Sequence, residues 1–194
     1  MYRSIKLYSI ILSICFLLII SACSLPSEKP NDMNNEVEDF SFTNQENATF
    51  GLSDLENKVW IADFIFTNCT TVCPGMTYNM AQLQIKMKEA GIDAEIVSFS
   101  VDPNVDTPEV LKDYVSKFGA DFSNWHLLTG YSDEMIQNFA KTSFMTIVQQ
   151  DANSDQVIHG TAFYLVDQKG TVLTKYDGNN PDFEQILKDI KSIQ

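Results

Sequence analysis

The sequence predicts an α/β domain in which helices cover both faces of a mixed central sheet. Three observations carry this. Val59–Phe66 (VWIADFIF) and Ala94–Val101 (AEIVSFSV) are short apolar runs rich in β-branched and aromatic residues, the composition of buried strands. Between them Met76, Met80, Leu83 and Met87 recur at helical spacing up to Gly91. Further strand–helix alternation ends in a hairpin and a last helix, which requires a mixed sheet.

The elements follow in chain order. Arg3 and Lys6 precede the apolar stretch Leu7–Ile20, and Ser21-Ala22 lead with small residues into Cys23. This is a secretory signal, its apolar part too short for a membrane span. Ending on a cysteine, it resembles the bacterial lipobox. That implies a signal peptide over 1–22, lipidation at Cys23, and a chain held at the cell membrane on its extracytoplasmic side. Residues 24–38 (SLPSEKPNDMNNEVE) carry two prolines and three asparagines. Residues 23–38 therefore read as a flexible membrane tether with a reach of roughly 20 Å. The folded domain is expected over 39–194.

Phe40–Asn44 and Ala48–Leu52 alternate around Gln45-Glu46-Asn47 and predict an extra N-terminal hairpin. After the strand Val59–Phe66, Pro74 suits the first turn of a helix. The methionine stripe of that helix reads as core packing rather than as a copper-binding surface. The strand Ala94–Val101 leads into Asp102-Pro103. Thr107 can cap a helix with Pro108 at its first position, running to about Phe118. Trp125–Leu128 is a short strand and Ser132–Lys141 a helix. Val157–Val166 and Val172–Tyr176 form a hairpin about Asp167–Gly170, and Pro181–Ile190 is the closing helix.

The 194 residues are 44% hydrophobic with formal charge −13, and losing the leader's Arg3 and Lys6 makes it −15. That balance argues against nucleic acid and against electrostatic docking on anionic lipid. It fits one monomeric domain on a tether. Of four cysteines, the leader takes Cys15 and lipidation takes Cys23, leaving Cys69 and Cys73. Outside the cytosol no glutathione pool keeps them reduced. A disulfide between them closes too small a loop to staple a fold, since chain-entropy stabilisation grows with loop size. A domain of about 150 residues buries enough core without one. The pair is functional.

It lies in FTNCTTVCP, at a strand-to-helix junction. With Cys73 opening the helix and Cys69 just before it, both thiols sit near a helix N-terminus. Partial positive charge there favours thiolate, the form that attacks disulfides and binds metal. Loop-to-helix geometry suits both a disulfide and a dithiolate, so C-x-x-x-C alone decides nothing. Thioredoxin-type oxidoreductases resemble the chain in fold, but use C-x-x-C and a proline facing the pair. No proline lies from Glu109 to Asn180. Peroxiredoxins expect a proline and a threonine where Ala62 and Phe66 stand. A structural zinc site wants four ligands at closed spacing, and only two cysteines and two histidines remain.

His126, beside Trp125 at the start of an apolar strand, reads as a packing or surface residue. His159, in DQVIHGTAFYLV, begins the last hairpin. In a thioredoxin-like layout that position faces the cysteine loop, and Gly160 permits close approach. Two thiolates with one imidazole suit copper better than a hard cation.

FTNCTTVCP, SVDP and the isolated His159 before a strand-turn-strand with DxxG together resemble the Sco (SenC) family, over residues 36–194. The resemblance implies a thioredoxin-like, membrane-tethered protein that binds copper, as Cu(I) or Cu(II). It implies a role in assembling the dinuclear copper centre of cytochrome c oxidase subunit II. By position it makes Cys69, Cys73 and His159 the copper ligands and Asp102 a supporting or partner-docking residue. Many members carry an acid just before the histidine, whereas Ile158 stands here, so any supporting carboxylate must come from elsewhere. Two functions fit. One is a copper chaperone. The other is a thiol:disulfide reductase that cycles a Cys69–Cys73 disulfide to keep the subunit's cysteines reduced. His159, needless for dithiol exchange, and the absent proline favour the chaperone.

Overall fold

The computed structural model describes residue 30 and residues 32–194; the expected signal peptide and Cys23 lie outside the described residues. At the centre is β4 (Trp60–Ile65), every residue of which is buried. It pairs in parallel with β5 (Glu95–Ser100), and β5 pairs in parallel with β6 (Trp125–Thr129). On its other side β4 is antiparallel to β9 (Ala162–Val166), which pairs with β10 (Thr171–Asp177), which pairs with β1 (Asn35–Glu36). At the far edge β2 (Ser41–Asn44) joins β6 to β3 (Thr49–Gly51), both antiparallel. The mixed sheet therefore runs β1-β10-β9-β4-β5-β6-β2-β3.

Strand alternation divides the core into two faces. Trp60, Ala62 and Phe64 point with Phe99 into an aromatic cluster closed by α3 (Asp133–Phe144). Ile61 and Ile65 point toward α1 (Cys73–Glu89), α2 (Pro108–Ser116) and α4 (Phe183–Ile193). Met76, Met80 and Met87 are buried there. Each adds about 1.5–3 kcal/mol of apolar burial and presents no sulfur to a surface metal. Thr107 caps α2 by accepting from the Val110 amide at 3.3 Å, with Pro108 its first residue.

Two expectations are corrected. Residues 32–38 are not free tether. The amides of Asp32 and Met33 donate to the Leu173 carbonyl at 2.9 and 3.0 Å, β1 pairs with β10, and Val37 is only 6% exposed. Met33 and Val37 supply apolar contacts that the polar composition of the segment conceals. The run Val157–Val166 is also not one strand. It divides into β8 (Val157–His159) and β9, and β8 pairs with β7 (Val148–Gln150) in a separate two-stranded ribbon. Gly160 marks the break. It lies against the Thr146 side chain so closely that a β-carbon would have no room.

Candidate metal centre

The centre forms beyond the carboxyl ends of β4 and β5. β4 delivers Phe66-Thr67-Asn68 and then Cys69, while Cys73 opens α1. The residue before this helix, Val72, has no side chain able to cap it. The Cys69 sulfur takes that part: Sγ accepts from the Cys73 amide at 3.3 Å. Burial opposes ionisation of Cys69, but hydrogen bonds from Cys73 and Thr71 outweigh it and hold the thiol below its ordinary range. Cys73 goes the other way. Burial pushes its thiol well up, with the neighbouring Cys69 and the charge of Asp63 adding to the effect.

His159 arrives from the ribbon. Its Nε2 lies 3.3 Å from the Cys73 Sγ, and its Nδ1 lies 2.9 Å from the Gly160 carbonyl. A carbonyl only accepts, so Nδ1 carries the proton and the Nε2 lone pair faces sulfur. Burial holds the imidazole below its usual range, hence neutral, against a smaller opposing effect from the Gly160 carbonyl. One ligand atom from each of Cys69, Cys73 and His159 lies within 4.8 Å of the others. Two sulfurs and one nitrogen at this spacing fit a soft or borderline metal. Both cysteines are free thiols here.

The ribbon is strapped to the cysteine loop. Asn68 donates to Asp155 at 2.8 Å, and Gln156 returns a bond to the Asn68 carbonyl at 3.0 Å. Phe66 meets the His159 ring edge-on, with centroids 5.6 Å apart. A shallow cavity of about 380 Å³ opens over the centre, lined by Phe66, Cys69, Val72, Gln156, Ile158 and His159 among others.

The sequence-predicted ligands are thus brought together, and two residues that the sequence reading did not single out also lie against the site. Asp102 uses its backbone: the amide donates to Ser100 Oγ at 3.1 Å and the carbonyl accepts from Asp106 at 2.9 Å. Asp106, fully buried, holds the cysteine loop by accepting from the Thr67 amide and hydroxyl, and from Ser100 Oγ at 2.6 Å. Its only sequence signal is an acid directly before the Thr107 cap. Asp63 was also missed. It is buried in β4, accepts from Ser98 Oγ at 2.6 Å, and its second oxygen has no partner among the described residues. Burial raises its carboxyl to about 7 against the opposing Ser98 bond. A charged letter inside an otherwise apolar strand was the available clue. His126 takes no part; it stacks on Phe50 and bonds Glu95 at 3.0 Å.

Fold and site together define a thioredoxin-like protein in which a C-x-x-x-C pair and one histidine form a group able to hold a metal ion. The chain belongs to the SCO1/SenC family, whose profile matches residues 28–194. It is similar to a SCO1/SenC family lipoprotein from Bacillus anthracis str. Ames, at 54% identity and TM-score 0.80, covering 82% of this chain and 95% of that one. BsSco, a member of the Sco family of cytochrome c oxidase assembly proteins in which a disulfide switch was identified, is 46% identical with TM-score 0.79, covering 86% and 98%. Yeast Sco1 with copper bound is 25% identical with TM-score 0.68, covering 81% and 90%. Among the described residues no helix is long and apolar enough to cross a membrane.

Proposed function

We propose that this protein binds copper through Cys69, Cys73 and His159 and delivers it to the dinuclear centre of cytochrome c oxidase subunit II. A lipid on Cys23 would hold it on the extracytoplasmic face of the membrane. The observation that carries the reading is the His159 Nε2 lone pair aimed at Cys73 Sγ, with its tautomer locked by Gly160. A simple dithiol exchanger needs no such nitrogen. Family membership, a copper-bound relative and a lipoprotein relative support it.

The residues divide the work. Cys69 is poised toward thiolate by the α1 amide, so it is the first sulfur to engage the metal. Cys73 keeps its proton until a cation replaces it, and His159 can accept from the S–H. Oxidation to a Cys69–Cys73 disulfide removes two electrons and two protons, and with them both thiolate donors. Oxidised protein should therefore bind no copper. The same couple supports the second reading, a thiol:disulfide reductase for the oxidase subunit, since the lowered Cys69 thiol suits nucleophilic attack.

A deletion strain decides between them. Copper delivery predicts loss of cytochrome c oxidase activity, recovery with excess copper, and no complementation by His159→Ala. Full complementation by His159→Ala, with failure confined to cysteine variants, would identify the reductase. Separately, Cys23→Ser should release the protein from the membrane, and wild-type protein without an acyl mass would refute the anchor.

A further inference from the structure

The β7–β8 ribbon has two unlike faces. Val148 pairs with His159 and Gln149 with Ile158, so alternation puts Val148, Val157 and His159 inward and Ile158 outward. Ile147, one residue before β7, is exposed as Ile158 is. Ile147 and Ile158 are 54% and 52% exposed, and Met145 just ahead is 53% exposed. This patch is continuous with the metal centre, because Ile158 also lines the cavity over Cys69 and His159.

Its surroundings are acidic. The ribbon's turn, residues 151–156, carries Asp151 and Asp155 and no base. Asp155 lies near enough to Asp102 for its charge, with those of Asp106 and Asp133, to oppose ionisation there after burial has done so. A second copy would bring the same acids against these, and an anionic bilayer would repel them too. A protein surface with an apolar centre and a lysine or arginine rim complements both features.

We infer that the outward face of the β7–β8 ribbon, centred on Ile147 and Ile158, is where the copper-accepting protein docks, through an apolar knob rimmed by basic residues. The inference rests on the delivery reading above and adds where and how the acceptor is recognised. A patch this small fits a transient hand-over complex, of the class burying under about 1,200 Å².

The test loads the full chain in detergent with copper and follows transfer to the purified copper-accepting domain of cytochrome c oxidase subunit II. Ile147→Glu should leave copper absorption unchanged and slow transfer about tenfold, the loss of one strong interface contact. Asp151→Asn keeps the acceptor of its turn and should slow transfer only at low salt, because rim charge acts mainly on association. Transfer unaffected by both variants overturns the docking face while leaving delivery standing; a wild type that passes no copper overturns delivery as well. If Ile147→Glu disturbs copper absorption, the low-salt effect of Asp151→Asn decides, and its absence counts against the inference. A wild-type dimer dispersed by Ile147→Glu would also overturn it, identifying a second copy as the occupant.

Discussion

The sulfur and nitrogen donors reach the site from unlike parts of the molecule. Cys69 and Cys73 hang from β4, which is paired on both sides, and from the first turn of a 17-residue helix. His159 sits on a two-stranded ribbon outside the main sheet, oriented by the next residue's carbonyl and held by bonds between the ribbon's turn and Asn68 of the cysteine loop. One half of the site is set by the core of the domain, the other by local contacts. A change at the ribbon can therefore alter the nitrogen donor and spare the sulfur pair, whereas the sulfur pair cannot be altered without touching a helix end.

The strongest way to test this contrast is Cys73→Ser. It removes a thiolate from the shared half and should abolish binding of Cu(I) and Cu(II) alike, read as loss of sulfur-to-copper charge-transfer absorption. Retained intense bands would disprove the ligand set. His159→Ala comes next and should split the two oxidation states. Cu(II) should weaken by more than the roughly 10–100-fold typical of losing an outer partner, while two thiolates keep Cu(I). Equal weakening of both would mean the halves are not separable.

Asp63 sharpens the sulfur half through stability. Its carboxyl is raised from 3.8 to about 7 in the fold. Between those values the folded chain holds a proton that the unfolded chain has lost. Stability should thus fall with rising pH across this window, by up to about 1.4 kcal/mol per unit, and be highest below it. Asp63→Asn should flatten that slope in urea unfolding, matching wild type near pH 4 and exceeding it near pH 8. An unchanged slope would place the titration elsewhere. The smallest effect is expected for Gly160→Ala, where the new methyl meets Thr146 Oγ1 and comes within 3.3 Å of the Tyr164 hydroxyl. Overpacking of about 1–3 kcal/mol should shift the ribbon and weaken Cu(II) several-fold. Adding Thr146→Ala should restore it.

What the sequence revealed follows the same division. β4, α1 and the cysteine junction were legible because an apolar run, a proline and helical periodicity are local signals. Thr107-Pro108 announced α2 for the same reason. The ribbon was not legible. The apolar pattern of Val157–Val166 runs straight across the break, and only the contact of Gly160 with Thr146 enforces it. β1 and the residues just before it were hidden because their bonds to β10 are made by backbone, whatever the side chains. Asp106 was passed over because its tie to the cysteine loop is a tertiary contact with Thr67, which no local pattern around Asp106 announces.

The sulfur of Cys69 closes the first amide of α1, and that contact doubles as a natural gauge. The Cys73 amide proton is bonded to whatever the sulfur has become: a neutral thiol, an anion, one end of a disulfide or a metal ligand. Each offers a different electron density, so the proton's resonance frequency and its rate of exchange with deuterium should follow the sulfur through its whole cycle. No label need be attached, and no other part of the helix has to move.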